Sequence, residues 1–113
     1  MVDRNYIPEK GDLVWINFTP QSGHEQAGKR PAIIISPKNY NQKTSLCIAC
    51  PITSKIKGYP FEVIINGKNI SGVVLVDQIK SMDWKARGVS FIERIENACY
   101  KELEVKLQLL LFS

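Results

Sequence analysis

Short runs rich in β-branched residues alternate with turn-forming stretches from residue 12 to residue 76, and this alternation restricts the fold more than any other feature. Each run has the length of a strand, and several short strands joined by loops are typical of a compact antiparallel barrel. The sequence therefore predicts a small, mainly β fold. The predicted strands cover residues 12–18, 31–36, 45–53, 61–65 and 72–76.

The stretches between these runs have the composition of loops and turns. Residues 19–29 (TPQSGHEQAGK) are polar and rich in turn formers, which predicts a long exposed loop. Residues 37–43 predict one or two helical turns, and residues 55–60 break the strand pattern. Asn66 and Gly67 mark a tight turn between two strands.

The C-terminal segment predicts a helix, for which Asn97 is a candidate cap and Glu102 with Lys106 a favourable pair. One face of this helix is apolar and carries Leu103, Leu107 and Leu110. Further apolar side chains lie off that face: Val105, Leu109 and Phe112. A helix that is apolar on more than one side needs more cover than one sheet provides, so we expect a homodimer.

Size and charge limit the classes of protein to consider. At 113 residues the chain has the size of one domain, 1–113, and its net charge of +4 favours an acidic partner such as nucleic acid. No stretch approaches the ~18 to 20 apolar residues that cross a bilayer, and the first ten residues contain no signal-peptide core. We therefore expect a cytoplasmic protein without membrane contact.

Metal and cofactor chemistry lack their usual signatures. Cys47 and Cys50 have the spacing of a metal knuckle, but in a strand this odd offset points them to opposite faces, which favours a buried structural role. The chain has one histidine, and its carboxylates show no DxD, HxH or HExxH spacing. Phosphate-binding glycine loops and a Gly-x-Ser-x-Gly elbow are also absent from the sequence. We expect no metal ion and no cofactor.

Three segments carry a resemblance to a known family. SGHEQAGKRPAIIISP, PITSKIKGYPFEV and GVVLVDQIKSMDWKARG resemble, in order and spacing, the three motif blocks of the MazF/PemK toxin ribonucleases. The resemblance implies an SH3-like barrel, a homodimer and sequence-selective cleavage of single-stranded RNA to a 2',3'-cyclic phosphate and a 5'-hydroxyl. It also implies a cognate MazE-type antitoxin whose acidic tail covers a basic RNA groove.

The resemblance assigns roles to individual positions. The family's catalytic arginine and threonine match Arg30 and Thr53, and Glu25 matches an acid of the same loop. The catalytic histidine and aspartate of the PemK branch match His24 and Asp77. The arginine that accompanies this aspartate falls on Leu75 here, a departure that favours Arg30 with Thr53 as the central pair.

Elementary chemistry supports the same pair. Cleavage of RNA by its own 2'-hydroxyl requires removal of a proton, stabilisation of a negatively charged phosphorane and protonation of the leaving 5'-oxygen. Arg30 offers a planar fork of donors for two phosphate oxygens, and Thr53 offers a hydroxyl donor. Arginine is too basic to act as the general base, so Glu25, His24 and Asp77 stay open for that role.

RNA contacts are predicted from residue type and position beside the motifs. The candidates for phosphate contacts are Lys29, Lys55, Lys57 and Lys80, and the candidates for base stacking are Phe18, Tyr59 and Trp84. The candidates for base-edge contacts are Gln26, Ser54 and Gln78, with Asp77 beside them. Solvated surface lysines and core aromatic residues are the ordinary alternatives, and Trp15 is assigned to the core.

Two other functions are compatible with a barrel of this size. One is a toxin of the CcdB type, which inhibits gyrase and would act through the C-terminal helix without needing Arg30 and Thr53. The other is an RNA-binding barrel without catalytic activity. Cleavage of single-stranded RNA in the presence of EDTA distinguishes the ribonuclease from both.

Overall fold

The computed structural model describes residues 5–18 and 28–113, which form seven strands and three α-helices. The strands are β1 (Asp12–Asn17), β2 (Lys29–Ile34), β3 (Leu46–Thr53), β4 (Glu62–Asn66), β5 (Ser71–Leu75), β6 (Lys80–Asp83) and β7 (Val89–Arg94). The helices are α1 (Lys38–Thr44), α2 (Trp84–Arg87) and α3 (Asn97–Phe112), and a 3₁₀ turn covers Val76–Gln78. The fold is mainly β with a C-terminal helix, which confirms the predicted class.

Antiparallel pairing arranges the strands in the order β4-β5-β3-β2-β1-β7. β3 connects the two halves of the sheet because one of its edges pairs with β2. Its other edge pairs first with β6 and then, through Ile52 and Thr53, with β5. The sheet curls into a half-barrel, and the predicted antiparallel barrel is confirmed in this form.

The five predicted strands and the predicted helical turns are present, with ends that differ by one or two residues. β6, α2 and β7 were not predicted, because two of these elements have only four residues and carry no clear periodicity. Asp83 offered one signal, since its carboxylate caps α2 by accepting the N–H of Ala86 at 2.9 Å.

Both faces of the curled sheet are covered. On one face Leu13, Ile33 and Cys50 pack with Leu103 and Leu107 of α3. The other face forms a second cluster that includes Val14, Ile34, Cys47, Met82 and Trp84. Cys47 and Cys50 therefore lie in different clusters as free thiols, which confirms the prediction that they point to opposite faces in structural roles.

Helix α3 packs through the predicted stripe. Leu103 and Leu107 are buried and Leu110 packs partly against the same cluster. The Glu102–Lys106 pair is also present, with 3.8 Å between Oε2 and Nζ. The prediction that Asn97 caps the helix is wrong, because α3 begins at Asn97 and the cap position is Glu96, whose side chain makes no capping hydrogen bond.

The outer face of α3 is exposed in the single chain. Val105, Leu109 and Phe112 are 56%, 55% and 82% exposed. Apolar side chains at this exposure agree with the predicted second apolar face. No helix within residues 5–18 and 28–113 has both the length and the hydropathy that a membrane span requires.

The two tryptophans occupy the opposite environments to those predicted. Trp84 is buried, and its indole Nε1 donates to the backbone oxygen of Asn41 at 3.0 Å, so it is not available to stack on a base. Trp15, which was assigned to the core, is 41% exposed and belongs to neither of the two buried clusters. Both sequence assignments were wrong.

Candidate active site

The pairing between β2 and β3 ends at a proline. The paired residues run from Ile34–Ala49 to Ala32–Pro51 and go no further. The N–H of Ile35 donates to Ile48 of β3, so by alternation an N–H at position 31 would also face β3, but Pro31 has none and the ladder of hydrogen bonds cannot continue past it. Both strands nevertheless extend beyond this point, and an opening lies between their ends.

Arg30 and Thr53 face each other across this opening. When the register of β2 and β3 is continued by two residues, Arg30 falls opposite Thr53. Alternation along the strands sets Arg30 on the same face as Ala32, and Thr53 on the same face as Pro51. The two side chains therefore project from one face of the sheet, in adjacent strands.

A cleft of about 470 Å³ contains both side chains. Four of its lining residues were candidates from sequence: Arg30, Thr53, Ser54 and Lys55. The others were not predicted: Pro31, Ile52, Ile70 and Ser71. The lining thus combines two cations, three hydroxyl groups and three apolar side chains. The cations and hydroxyl groups can bind a phosphate, and the apolar side chains can contact the attached nucleoside.

Thr53 is oriented by its own backbone neighbour. The hydroxyl oxygen Oγ1 accepts the N–H of Lys55 at 3.2 Å, so the hydroxyl proton stays free to donate into the cleft. Arg30 is exposed, and among the described residues no carboxylate forms an ion pair with it. A guanidinium and a hydroxyl donor beside each other stabilise negative charge that develops on an oxygen between them.

The predicted loop residues His24, Glu25 and Gln26 lie outside the described residues. The two ends of the loop are fixed to each other, because the N–H of Phe18 donates to the backbone oxygen of Gly28 at 2.8 Å. Arg87 of α2 holds the first end through hydrogen bonds from Nη1 to the backbone oxygens of Asn17 and Phe18, at 2.9 and 3.0 Å. The loop therefore begins after Phe18 and ends at Gly28, two residues before Arg30 in the sequence.

Phe18 and Lys80 form a contact beside this loop. The Nζ atom of Lys80 lies 5.8 Å from the centre of the Phe18 ring, within the range of a cation–π interaction. Lys29, at the start of β2, is exposed. None of these three candidates lines the cleft, and the positive charges among them are those of Lys29 at the start of β2 and Lys80 at the start of β6.

The connection after Thr53 carries Lys55, Lys57 and Tyr59, all of them exposed. Glu62 shapes this segment although it is itself buried. Its carboxylate accepts the N–H of Lys57 at 3.2 Å and that of Gly58 at 2.9 Å. The segment is thereby held at one rim of the cleft with two lysines and an aromatic ring facing solvent.

Asp77 and Gln78 are exposed on the 3₁₀ turn between β5 and β6. Neither residue is among those that line the cleft. The structure therefore does not bring Asp77 into the cleft with Arg30 and Thr53, and the general base stays a prediction.

A second cavity of about 340 Å³ lies behind the β4–β5 turn and is lined by Glu93, Arg94, Glu96 and Cys99, among others. Partial burial, together with the charges of Glu102 and Glu96, raises the pKa of the Cys99 thiol, so it is a poor nucleophile. Among the described residues, no three His, Cys, Asp or Glu side chains converge as metal ligands would.

Three residues in or around the cleft were not predicted from the sequence. Ser71 lines the cleft, Glu62 holds the segment after Thr53, and Arg87 holds the end of β1. Pairing between distant strands places Ser71 there, and no local pattern reveals such pairing. Glu62 had one signal: a carboxylate inside an otherwise apolar strand is expected to satisfy nearby backbone groups.

Comparisons with known proteins agree with the fold. The family described as "PemK-like, MazF-like toxin of type II toxin-antitoxin system" matches residues 9–111. The chain is 52% identical over 90 residues to "Endoribonuclease toxin MazF" of Escherichia coli, an alignment that covers 80% of each chain. Among solved structures, MazF from Deinococcus radiodurans has a TM-score of 0.86 at 47% identity, covering 96% of this chain and all of that one. A MazE-MazF structure from the same organism has a TM-score of 0.85 at 41% identity, covering 96% of this chain and 98% of the other.

Proposed function

The chain belongs to the PemK-like, MazF-like family of toxins of type II toxin–antitoxin systems, and we propose that it cleaves single-stranded RNA in the cleft between Arg30 and Thr53. The activity is that of an endoribonuclease, in agreement with the names of its relatives. The observation that carries the proposed site is the opposition of Arg30 and Thr53 where the β2–β3 ladder ends.

The reaction is an internal transesterification. The 2'-hydroxyl of the substrate gives its proton to a base and attacks the adjacent phosphorus, and the bond to the 5'-oxygen breaks as that oxygen takes up a proton. The products are a 2',3'-cyclic phosphate and a 5'-hydroxyl. Arg30 binds the non-bridging oxygens through its guanidinium, and Thr53 donates its free hydroxyl proton to the same group. No step requires a metal ion, and DNA, which has no 2'-hydroxyl, binds without being cut.

Proton transfer is assigned to the loop that precedes β2. Glu25 and His24 are the candidates for the base that accepts the 2'-hydroxyl proton, and they enter the proposal from sequence alone. Asp77 is a weaker candidate because it does not line the cleft. Substituting each residue with alanine and following cyclic-phosphate formation against pH identifies the base, because a residue whose removal leaves the pH profile unchanged is eliminated.

Positive and aromatic side chains around the cleft bind the rest of the RNA. Ser54 and Lys55 contact the nucleotides at the scissile bond, since both line the cleft. The remaining proposed contacts come from residue type and from position beside the motifs: Phe18, Gln26, Lys29, Lys57, Tyr59, Asp77, Gln78 and Lys80. Phosphate contacts of this kind make RNA binding weaken as the salt concentration rises.

The partners follow from the exposed face of α3 and from the relatives. We propose that two copies of the chain form a homodimer that covers Val105, Leu109 and Phe112. A MazE-type antitoxin is proposed as the second partner, because a similar chain has been solved as a MazE-MazF structure. An acidic antitoxin segment complements the net charge of +4, and the cytoplasm is the proposed location of the complex.

A gyrase inhibitor on the same fold is not favoured. The similar chains are named endoribonucleases, and Arg30 and Thr53 lie in one cleft, which a toxin acting through α3 would not need. A barrel that binds RNA without cutting it stays distinguishable by experiment.

The test is cleavage of a long single-stranded RNA by the purified protein in excess EDTA. We expect fragments with cyclic-phosphate ends, and we expect Arg30→Ala to reduce the rate by ~10² to 10³. Lys43→Ala removes a cation from α1, away from the cleft, and is the matched control with an unchanged rate. Intact RNA with the wild-type protein, or full activity of Arg30→Ala, contradicts the proposal.

A further inference from the structure

Ser71 lies on the same side of the sheet as the catalytic pair. Thr53 of β3 pairs with Val73 of β5, so these two side chains share a face. Ser71 precedes Val73 by two residues in the same strand and therefore shares that face as well. Ser71 also lines the cleft with Arg30 and Thr53, and its hydroxyl has no hydrogen-bond partner among the described residues.

Strand β5, which carries Ser71 at its start, lies unusually close to Thr53 of β3. Gly72 has a φ of +150°, and a Cβ added to it would lie 2.4 Å from the backbone oxygen of Thr53. Only a residue without a side chain permits this approach, because real Cβ contacts are longer. The distance between β5 and Thr53 is therefore determined by contact between two backbones, with no flexible side chain between them.

A carboxylate from β7 fixes the turn that precedes Ser71. Glu93 accepts the N–H of Asn69 at 2.7 Å and that of Lys68 at 3.0 Å, in the turn between β4 and β5. The turn is closed by a bond of 2.8 Å from the N–H of Gly67 to the backbone oxygen of Ile70, the residue before Ser71. These backbone hydrogen bonds, with that from Asn69 the largest cause, also lower the pKa of Glu93, so the clamp is charged near neutral pH.

We propose that Ser71 is a further RNA-contacting residue, which selects the nucleotide beside the scissile phosphate, and that Glu93 positions the turn that carries it. This inference deepens the proposed function and rests on it. Arg30 and Lys55 supply the charge for the phosphate, so the uncharged hydroxyl of Ser71 is left to contact a sugar or base. Ile70 adds an apolar surface beside it, against which a base can lie.

The first experiment compares Ser71→Ala with the wild-type protein on a random pool of single-stranded RNA, by sequencing the 5' ends of the fragments. We expect the base preference to relax at one position of the consensus, with cleavage of the best site falling roughly 2- to 10-fold, the worth of one hydrogen bond. Ser81→Ala on β6 is the matched control, since Ser81 is an exposed serine that does not line the cleft. A consensus and rate identical to wild type overturn the proposal.

The second experiment tests the positioning role through KM and kcat. Glu93→Ala is expected to raise KM for the consensus RNA roughly 3- to 10-fold with kcat within about twofold, because the chemical groups are untouched. Glu93→Gln retains one acceptor oxygen and should recover part of this loss. Glu104→Gln, on the exposed side of α3, is the control. A Glu93→Ala enzyme with unchanged KM contradicts the positioning role even if it is less stable.

Binding to a non-cleavable RNA separates this inference from the proposed function. The probe is the consensus RNA, or without one a random RNA, with 2'-deoxyribose at the reactive positions, which binds but cannot react. If the wild-type protein cuts no RNA but Ser71→Ala binds the probe more weakly, the proposed catalysis fails while the contact stands. If the wild-type protein cuts RNA and Ser71→Ala behaves like it in both assays, the contact fails while catalysis stands. If the wild-type protein neither binds nor cuts, both fail.

Discussion

The Thr53 hydroxyl illustrates how a single residue acquires its role from a backbone contact. Its oxygen accepts the N–H of Lys55, and this leaves its proton as the group presented to a ligand. In the proposed reaction this hydroxyl is the group of Thr53 that contacts the phosphate, and the methyl group takes no part.

Substitution of Thr53 separates these two features. Thr53→Ser retains the hydroxyl and is expected to keep activity within ~10-fold, whereas Thr53→Val retains the shape and should lose ~10² to 10³ in rate. Single-turnover cleavage of a defined RNA measures both, and circular dichroism checks that the folds agree. Full activity of Thr53→Val would show that the hydroxyl proton is not needed, and equal losses in the two variants would show that the methyl group matters as much as the hydroxyl.

The residue types that sequence reasoning placed correctly are those whose chemistry is local. Arg30 and Thr53 were candidates from their motifs and from the needs of the phosphate, and the structure brings both into one cleft. Trp15 and Trp84 were misplaced because burial depends on which elements cover a strand, and the α2 helix that contains Trp84 was itself not predicted. His24 and Glu25 stay predictions.

At the scale of elements, the strands with β-branched runs were predictable and their partners were not. β3 pairs with three different strands, and nothing local in its sequence indicates where β6 gives way to β5. The cleft depends on this change of partner and on Pro31, at which the β2–β3 ladder ends. Ser71 reaches the cleft only through the pairing of β5 with β3, and Glu93 of β7 contacts the turn before Ser71 only through the fold, which explains why the sequence did not reveal them.

Gly72 tests the contact between β5 and β3. Gly72→Ala adds a Cβ that would lie 2.4 Å from the Thr53 oxygen, so the strands must separate, and we expect a loss of ~1 to 3 kcal/mol in the free energy of unfolding. Activity should fall as well, because Thr53 moves. Urea unfolding and RNA cleavage measure the two effects.

The control for this prediction is Gly58→Ala. Gly58 also has a positive φ, of +84°, but an added Cβ would meet nothing within 4 Å. Its substitution should cost only the backbone preference, ~1 to 2 kcal/mol, without displacing Thr53. If both variants retain equal activity, close packing at Gly72 has no influence on the cleft.

At the scale of the whole molecule, the proposed dimer depends on the outer face of α3. Leu109→Glu places a charge in the centre of this face, next to Val105 and Phe112, and should weaken association because burial of an unpaired carboxylate is costly. Sedimentation velocity at several concentrations is expected to show a shift towards monomer. Gln42→Glu adds the same charge on α1 and is the control. An unchanged dimer in Leu109→Glu would mean that another surface forms the interface.

Two buried thiols, one in each hydrophobic cluster, make the free energy of unfolding depend on pH above neutrality. Burial raises the pKa of Cys47 and of Cys50 from the ordinary value of 9.0 to about 12. Each thiol thus keeps its proton in the folded chain at pH values where the unfolded chain has lost it. The unfolded state binds fewer protons in this range, so the free energy of unfolding falls as pH rises.

We therefore expect full stability below pH ~9 and a progressive loss between pH ~9 and ~12, with a slope of at most about 1.4 kcal/mol per pH unit for each thiol. Urea unfolding at pH 8, 9.5 and 10.5 measures this slope. Cys50→Ala should be less stable at every pH, because it leaves a cavity, but its slope should be smaller by the contribution of one thiol. The slope, unlike the absolute stability, reports protons alone. A variant with the wild-type slope would show that Cys50 does not hold its proton in the folded state.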